Sequence, residues 1–172
     1  MGSEMCIRDR YTANKAGVSR DAADEFSLRS HQKAVAAAEA GFFENEIVPV
    51  EVKKRKSVSV IDVDESPRGD TSLDALGKLR PAFVRDAPDD IEEHVVTAGN
   101  APGLNDGAAS VVVASLEYAE AHGLEVEALI SGYATAATAP QDLFFAPIAA
   151  VQNLMRREGK LIGDYDLSLI HI

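Results

Sequence analysis

The sequence predicts an α/β protein preceded by an irregular α+β region, and three observations carry that expectation. A long Ala-rich stretch, free of Pro and Gly, runs at helical period from Arg20 to Ala40. Two alternating apolar stretches follow, 46–52 and 57–60, separated by a basic run. After His94, short apolar strands alternate with short helical patterns, the strand–helix–strand order of an α/β layer.

Composition narrows the function classes. The chain has 172 residues, which by length is one domain or two small ones. Its 46% apolar content suffices for a packed core and argues against disorder of the whole chain. Seventeen Lys+Arg stand against 28 Asp+Glu, a formal net charge of -11. That balance argues against general affinity for nucleic acid or anionic membrane, since both need clustered cations. No apolar run approaches the roughly 18 residues of a spanning helix. The single cysteine, Cys6, excludes an internal disulfide and a multi-cysteine zinc site. No internal repeat or low-complexity segment is present.

The elements follow in order. Ser19 is the expected cap of the long helix, and Asp21, Asp24 and Glu25 place negative charge where the helix dipole favours it. Ala23, Phe26, Ser30, Ala34 and Ala37 share one face, the expected inner face, and Gly41 ends the helix. Val48, Val50 and Val52 alternate with Pro49 and Glu51, and Pro49 makes this an edge or irregular strand. Ser57-Val-Ser-Val60 alternates again, so the two stretches form a hairpin across Lys53-Lys-Arg-Lys56. Thr71-Ser-Leu-Asp74 fits a capping pattern, and Leu73, Leu76 and Leu79 line a short helix that Pro81 ends.

Further on, Val95-Val-Thr97 reads as a short strand. Residues 98–109 form a tight Gly/Asn-rich loop whose glycines suit positive φ. Val111-Val-Val113 is continuously apolar, so a strand buried on both faces is expected. Leu116 to His122 is a short helix closed by Gly123, and residues 128–134 are another strand. Pro147 opens a last helix, with Ile148, Val151, Leu154 and Met155 on its buried face and Gly159 at its end.

Several stretches, taken together, resemble the thiolase family. They are Gly17-Val-Ser-Arg20 with Ser30-His-Gln-Lys-Ala34, then Glu46-Ile-Val-Pro-Val50, then Lys78-Leu-Arg-Pro-Ala-Phe83. The most specific is Val96-Thr-Ala-Gly-Asn-Ala-Pro-Gly-Leu-Asn-Asp-Gly-Ala-Ala109. The resemblance covers essentially all of residues 11–166. It implies a partial thiolase fold of layered α/β halves, with the α+β loop domain inserted. By this likeness residues 11–97 correspond to the loop-domain region, 98–122 to the end of the first half and 123–166 to the start of the second.

The resemblance also implies an acyl-CoA acyltransferase that forms or cleaves a β-ketoacyl-CoA by cysteine-based ping-pong transfer. Such an enzyme takes CoA as substrate and uses no metal or further cofactor. It is expected as a cytoplasmic homodimer or homotetramer. The family's nucleophilic cysteine, its Asn-Glu and His-containing motifs and its second cysteine match no position here; Cys6, His31, His94 and His122 match none of them. What remains is CoA binding. Arg68 matches the family arginine near the adenine and phosphate end of CoA, and Phe83 and Ala98 match residues along the pantetheine arm. Pro102 stands where many members have a serine that contacts that arm, which removes a hydroxyl.

Alternatives stay open on the residues themselves. Arg68, between Pro67 and Gly69, reads equally as a solvated loop arginine. Lys53 to Lys56 reads as a solvated turn or as a cluster that steers phosphates. Asn100, Asn105 and Asp106 read as structural side chains bonding the local backbone. His31 reads as a surface or interface residue. Leu143, Phe144 and Phe145 read as core, or by the resemblance as neighbours of the acyl pocket. A non-catalytic CoA-binding or assembly module is the second function reading, and a branch acting on bulkier acyl chains is a third.

The two ends carry their own signal. Met5-Cys-Ile-Arg-Asp9 can be encoded by a string whose reverse complement encodes Ser168-Leu-Ile-His171. One inverted nucleotide element, similar to a transposon end used in library preparation, would supply both. Residues 1–10 and 167–172 are therefore expected to be adapter-derived.

Overall fold

The computed structural model describes residues 10–55, 57–82, 84, 93–103 and 105–166. The chain divides into two units, Met1–Leu104 and Asn105–Ile172.

In the first unit a helical segment, α1, covers residues 10–16, with Arg10 fully buried at its start. Gly17, at φ 67°, turns the chain into α2, Arg20–Glu39. Ser19 caps α2, its hydroxyl oxygen accepting from the Ala22 N–H at 3.2 Å. This satisfies one of the donors that every helix start leaves unpaired. At the far end Gly41 adopts φ 77°, so the expected stop holds.

The expected hairpin forms, but its first strand starts at Val50 rather than near Glu46 and takes in Lys53 and Lys54 of the expected turn. Strand β1, Val50–Lys54, pairs antiparallel with β2, Ser57–Ile61, with Val52 opposite Ser59. Pro49 lies just outside the pairing. Helix α3, Leu73–Gly77, is capped by Ser72 rather than Thr71, the Ser72 oxygen accepting from the Ala75 N–H at 3.2 Å.

The expected inner face of α2 is corrected. Phe26 is 54% exposed and Ser30 is also exposed. Ala23, Ala34 and Ala37 are half-buried as expected, and the covered side extends through Asp24, Ser27, Leu28, His31 and Val35. Asp24 and His31 sit on this side because they bond to other segments, as the next section describes, while the Ser27 hydroxyl donates to the Ala23 carbonyl within the helix. Among the described residues of the unit, Leu76, Val95 and Val96 are the buried apolar side chains, and Thr97 is fully buried.

Val95-Val-Thr97 forms no strand. Thr97 makes a single antiparallel bridge with Pro81, and the Ala82 N–H donates to the Val96 carbonyl at 2.9 Å. Pro81 has no N–H to extend this pairing.

The second unit holds α4, Leu116–Ala121, then a 3-10 turn, Pro140–Phe145, then α5, Ala146–Glu158. Ser115 caps α4, and Gly159 at φ 67° ends α5 with its N–H on the Met155 carbonyl. The two expected strands are corrected. Residues 111–113 and 128–134 form no helix and no strand pairing among the described residues. Val112 is 91% exposed and Ile130 76% exposed. A strand is completed by a neighbour's backbone, and no described segment supplies one. Side chains of α5 serve part of that need: Asn153 donates to the Thr135 carbonyl at 2.9 Å and Arg157 to the Tyr133 carbonyl at 2.8 Å. The expected buried face of α5 is covered only in part: Ile148 and Val151 are exposed, while Leu154 and Met155 are half-buried.

Gly99 has a spatial role. It is absent from the positive-φ glycines, so conformational freedom is not its reason. A Cβ at this position would lie 2.5 Å from both Leu76 Cδ2 and Leu79 Cδ1. Leu76 is 3% exposed and has little room to withdraw. Gly99→Ala is therefore expected to destabilise the first unit by about 1–3 kcal/mol, the usual cost of overpacking. Urea unfolding followed by circular dichroism measures this; an unchanged midpoint would contradict it.

Candidate functional site

Two segments of the first unit carry candidate binding residues, and α2 holds both. The first is the turn at 97–103. Asn100 organises it with three bonds. Its side-chain oxygen accepts from the Thr97 N–H at 2.7 Å, and its amide nitrogen donates to the Val95 carbonyl at 2.9 Å and to Asp24 Oδ1 at 2.8 Å. Thr97 Oγ1 adds a bond from the Gly99 N–H at 3.2 Å. The Asn100 reading as a structural residue holds, and the structure adds its long-range partner.

Asp24 is 4% exposed. A buried carboxylate is costly unless paired and fully hydrogen-bonded. Here its other oxygen, Oδ2, takes the Arg20 Nε–H at 2.7 Å. Arg20 also reaches α3 and the residues just after it: Nη2 donates to the Leu76 carbonyl at 2.7 Å and the Leu79 carbonyl at 3.1 Å. The Arg20 backbone N–H reaches Glu93 Oε1 at 3.1 Å, and Asn14 in α1 donates to the Glu93 carbonyl at 3.0 Å. Arg20, Asp24 and Asn100 thus join α1, α2, α3 and the 93–101 segment. The sequence held part of this signal, an Arg and an Asp four apart on a helix. Asp24 read as a dipole partner because nothing local marks it as buried.

The second segment is the loop from residue 62 to residue 72. The Asp64 carboxylate accepts from the Ser66 N–H at 2.9 Å, and the Arg68 carbonyl from the Thr71 N–H at 3.5 Å. The Arg68 N–H donates to His31 Nδ1 at 3.1 Å. Gly69 lies over Val35, since a Cβ there would stand 3.6 Å from both Val35 methyls.

The residues singled out from sequence fall as follows. Arg68 is exposed, and among the described residues its guanidinium makes no hydrogen bond or ion pair. Ala98 and Pro102 are exposed in the Asn100 turn. Phe83 lies outside the described residues, as does Lys56, while Lys53, Lys54 and Arg55 are exposed on the hairpin. Of the histidines, His122 stacks on Tyr118 with ring centres 4.0 Å apart and contacts the Tyr118 carbonyl. His94 Nδ1 is buried without a partner among the described residues. Among those residues no three His, Cys, Asp or Glu side chains gather, and no helix is long and apolar enough to cross a membrane.

In the second unit an open depression is lined by Ile130, Tyr133, Leu154, Arg157 and Glu158 among others. It contains none of the residues singled out. Beside it, Lys160 pairs with Glu158 at 3.0 Å, and that hydrogen bond and charge raise the Lys160 pKa above its ordinary value.

Comparison with known proteins gives a consistent result. The thiolase N-terminal domain family matches residues 1–117. The chain is 47% identical over 150 residues to the beta-ketoadipyl-CoA thiolase of Pseudomonas aeruginosa, covering 87% of the chain and 36% of that protein. It is 42% identical over 164 residues to the acetyl-CoA acetyltransferase of Chromobacterium violaceum, covering 95% of the chain and 40% of that protein. Among solved structures, the acetyl-CoA acetyltransferase of Bacillus anthracis superposes with a TM-score of 0.79 at 36% identity, over 95% of the chain and 40% of that structure. Human mitochondrial 3-ketoacyl-CoA thiolase gives 0.78 at 35% identity, with the same coverage. The chain thus spans well under half the length of these relatives, and its mixed helices and small sheet are part of an α/β thiolase fold.

The Asn100 turn yields a direct test. Asn100→Ala leaves the Thr97 N–H, the Val95 carbonyl and one Asp24 oxygen without their partner. The expected loss is about 2–3 kcal/mol of stability, since unpaired buried polar groups retain their desolvation cost. Asn100→Asp sets a second carboxylate against Asp24 and is expected to cost more at neutral pH. Equal stability of both variants and the parent in urea would refute the arrangement.

Proposed function

The chain belongs to the thiolase family, and on that premise we propose that it contributes the CoA grip of an acyl-CoA acyltransferase. The parent reaction is the formation or cleavage of a β-ketoacyl-CoA. A cysteine thiolate accepts the acyl group as CoA (in synthesis) or an acyl-CoA (in cleavage) leaves, and the second substrate, an acyl-CoA or CoA, then takes the acyl group and frees the thiolate. No metal or organic cofactor beyond CoA itself is required in this reading. The intact enzyme acts as a cytoplasmic homodimer or homotetramer.

The observation that supports this segment's part is the state of Arg68. Its backbone is held by α2 while its guanidinium is exposed and unpaired among the described residues. An arginine in that state is available to a phosphate, which its planar donors suit. Lys53, Lys54 and Arg55 add positive charge within the same unit of a net acidic protein. Ala98 and Pro102 present a small, mostly apolar surface suited to a pantetheine arm. Pro102 offers no donor there, so that arm relies on other groups.

The chain's one cysteine, Cys6, favours a second reading for the isolated polypeptide, that of a non-catalytic CoA-binding module. Under either reading the 172-residue polypeptide is expected to show no thiolysis of acetoacetyl-CoA; measured turnover would contradict the reading that Cys6 is not the family's nucleophile. CoA affinity tests the grip itself. Arg68→Ala is expected to weaken CoA binding by roughly tenfold, about 1.4 kcal/mol, with the loss shrinking as salt is raised. Isothermal titration measures it, and an affinity unaffected by Arg68→Ala would remove Arg68 from the site.

A further inference from the structure

We propose that His31 is a positioning residue for Arg68: its imidazole fixes the backbone at Arg68 and so fixes where that guanidinium meets a CoA phosphate. This rests on the reading of Arg68 given above. His31 Nδ1 accepts the Arg68 N–H at 3.1 Å across 37 residues of sequence. To accept, Nδ1 must carry a lone pair, so the ring's proton sits on Nε2. One helical turn later Val35 faces Gly69, where an added Cβ would meet both Val35 methyls at 3.6 Å. Two residues of α2, four apart, therefore hold two consecutive residues of the loop.

The same stripe of α2 sets the other candidate segment. Asp24 bonds Asn100 of the 97–103 turn, and His31 lies seven residues further on. Seven residues span about 10.5 Å along a helix axis. A single rigid helix thus fixes the separation of the two segments along its length. Holding an arginine's backbone while leaving its head free reduces the ordering cost when a ligand binds. His31 itself touches no ligand in this account; it acts through Arg68.

The test uses the 172-residue chain, CoA as the probe, and two readouts: hydrogen exchange at the Arg68 amide and CoA affinity by titration calorimetry. His31→Phe keeps a ring and removes the acceptor. It is expected to speed Arg68 amide exchange and to weaken CoA binding roughly 2- to 10-fold. His31→Asn places a carbonyl oxygen near the former Nδ1 and is expected to restore both. Since His31 acts through Arg68, the pair His31→Phe with Arg68→Ala is expected to bind CoA no more weakly than Arg68→Ala alone.

If Arg68→Ala weakens binding but His31→Phe changes neither readout, the positioning role is overturned and the CoA reading stands. Additive losses in the double variant also overturn it, because His31 would then act elsewhere. If Arg68→Ala has no effect, or the chain binds no CoA, the underlying reading falls and this inference with it. Circular dichroism of the variants separates these outcomes from unfolding.

Discussion

The pairing of Asp24 is the constraint on which the first unit depends. A carboxylate with 4% exposure sits on the covered face of α2, and each oxygen has one strong partner, Arg20 and Asn100. Arg20 Nη2 donates to the carbonyls of Leu76 and Leu79, and Asn100 turns its other bonds to Thr97 and Val95. Removing Arg20 or Asn100 leaves one oxygen of the buried Asp24 carboxylate without its partner. Interactions of this kind fix geometry more than they add net stability. The apolar core here is small, so specification by a polar network is what holds the 93–103 segment against α2 and α3.

That network explains how a loop-rich region presents binding residues in fixed places. Ala98 and Pro102 lie on a turn whose backbone is held by Asn100, and Gly99 lets the turn lie against Leu76 and Leu79. Arg68 lies on a loop held by His31 and Val35. Both loops take their position from α2. A segment that reads as connection is thereby as fixed as the helix it rests on, and small or exposed side chains on it become available to a ligand.

Much of this was readable in the sequence because the signals are local. Ser19 and Gly41 mark the ends of α2, Ser115 and Gly123 those of α4, and Gly159 that of α5, since caps and left-handed glycines act within a few residues. Alternating valines around a basic turn marked the hairpin. The failures are non-local. Residues 111–113 and 128–134 have strand composition, yet a strand needs a neighbour that sequence pattern alone does not supply. On α2 the alanines of the expected face are half-buried but Phe26 and Ser30 are exposed, and the covered side also takes in Asp24 and His31, paired to residues more than 35 positions away. Arg68, Ala98 and Pro102 were reached through resemblance. His31 and Asp24, which position their loops, had no sequence signal beyond helical spacing.

The central claim is that the first unit carries a CoA site built on two loops fixed by α2. The most direct measurement is an amide-resolved NMR titration of the chain with CoA. The account predicts shift changes concentrated at residues 67–69 and 97–103, saturating together with one affinity. Changes confined to residues 105–166, or spread evenly along the chain without saturation, would contradict it.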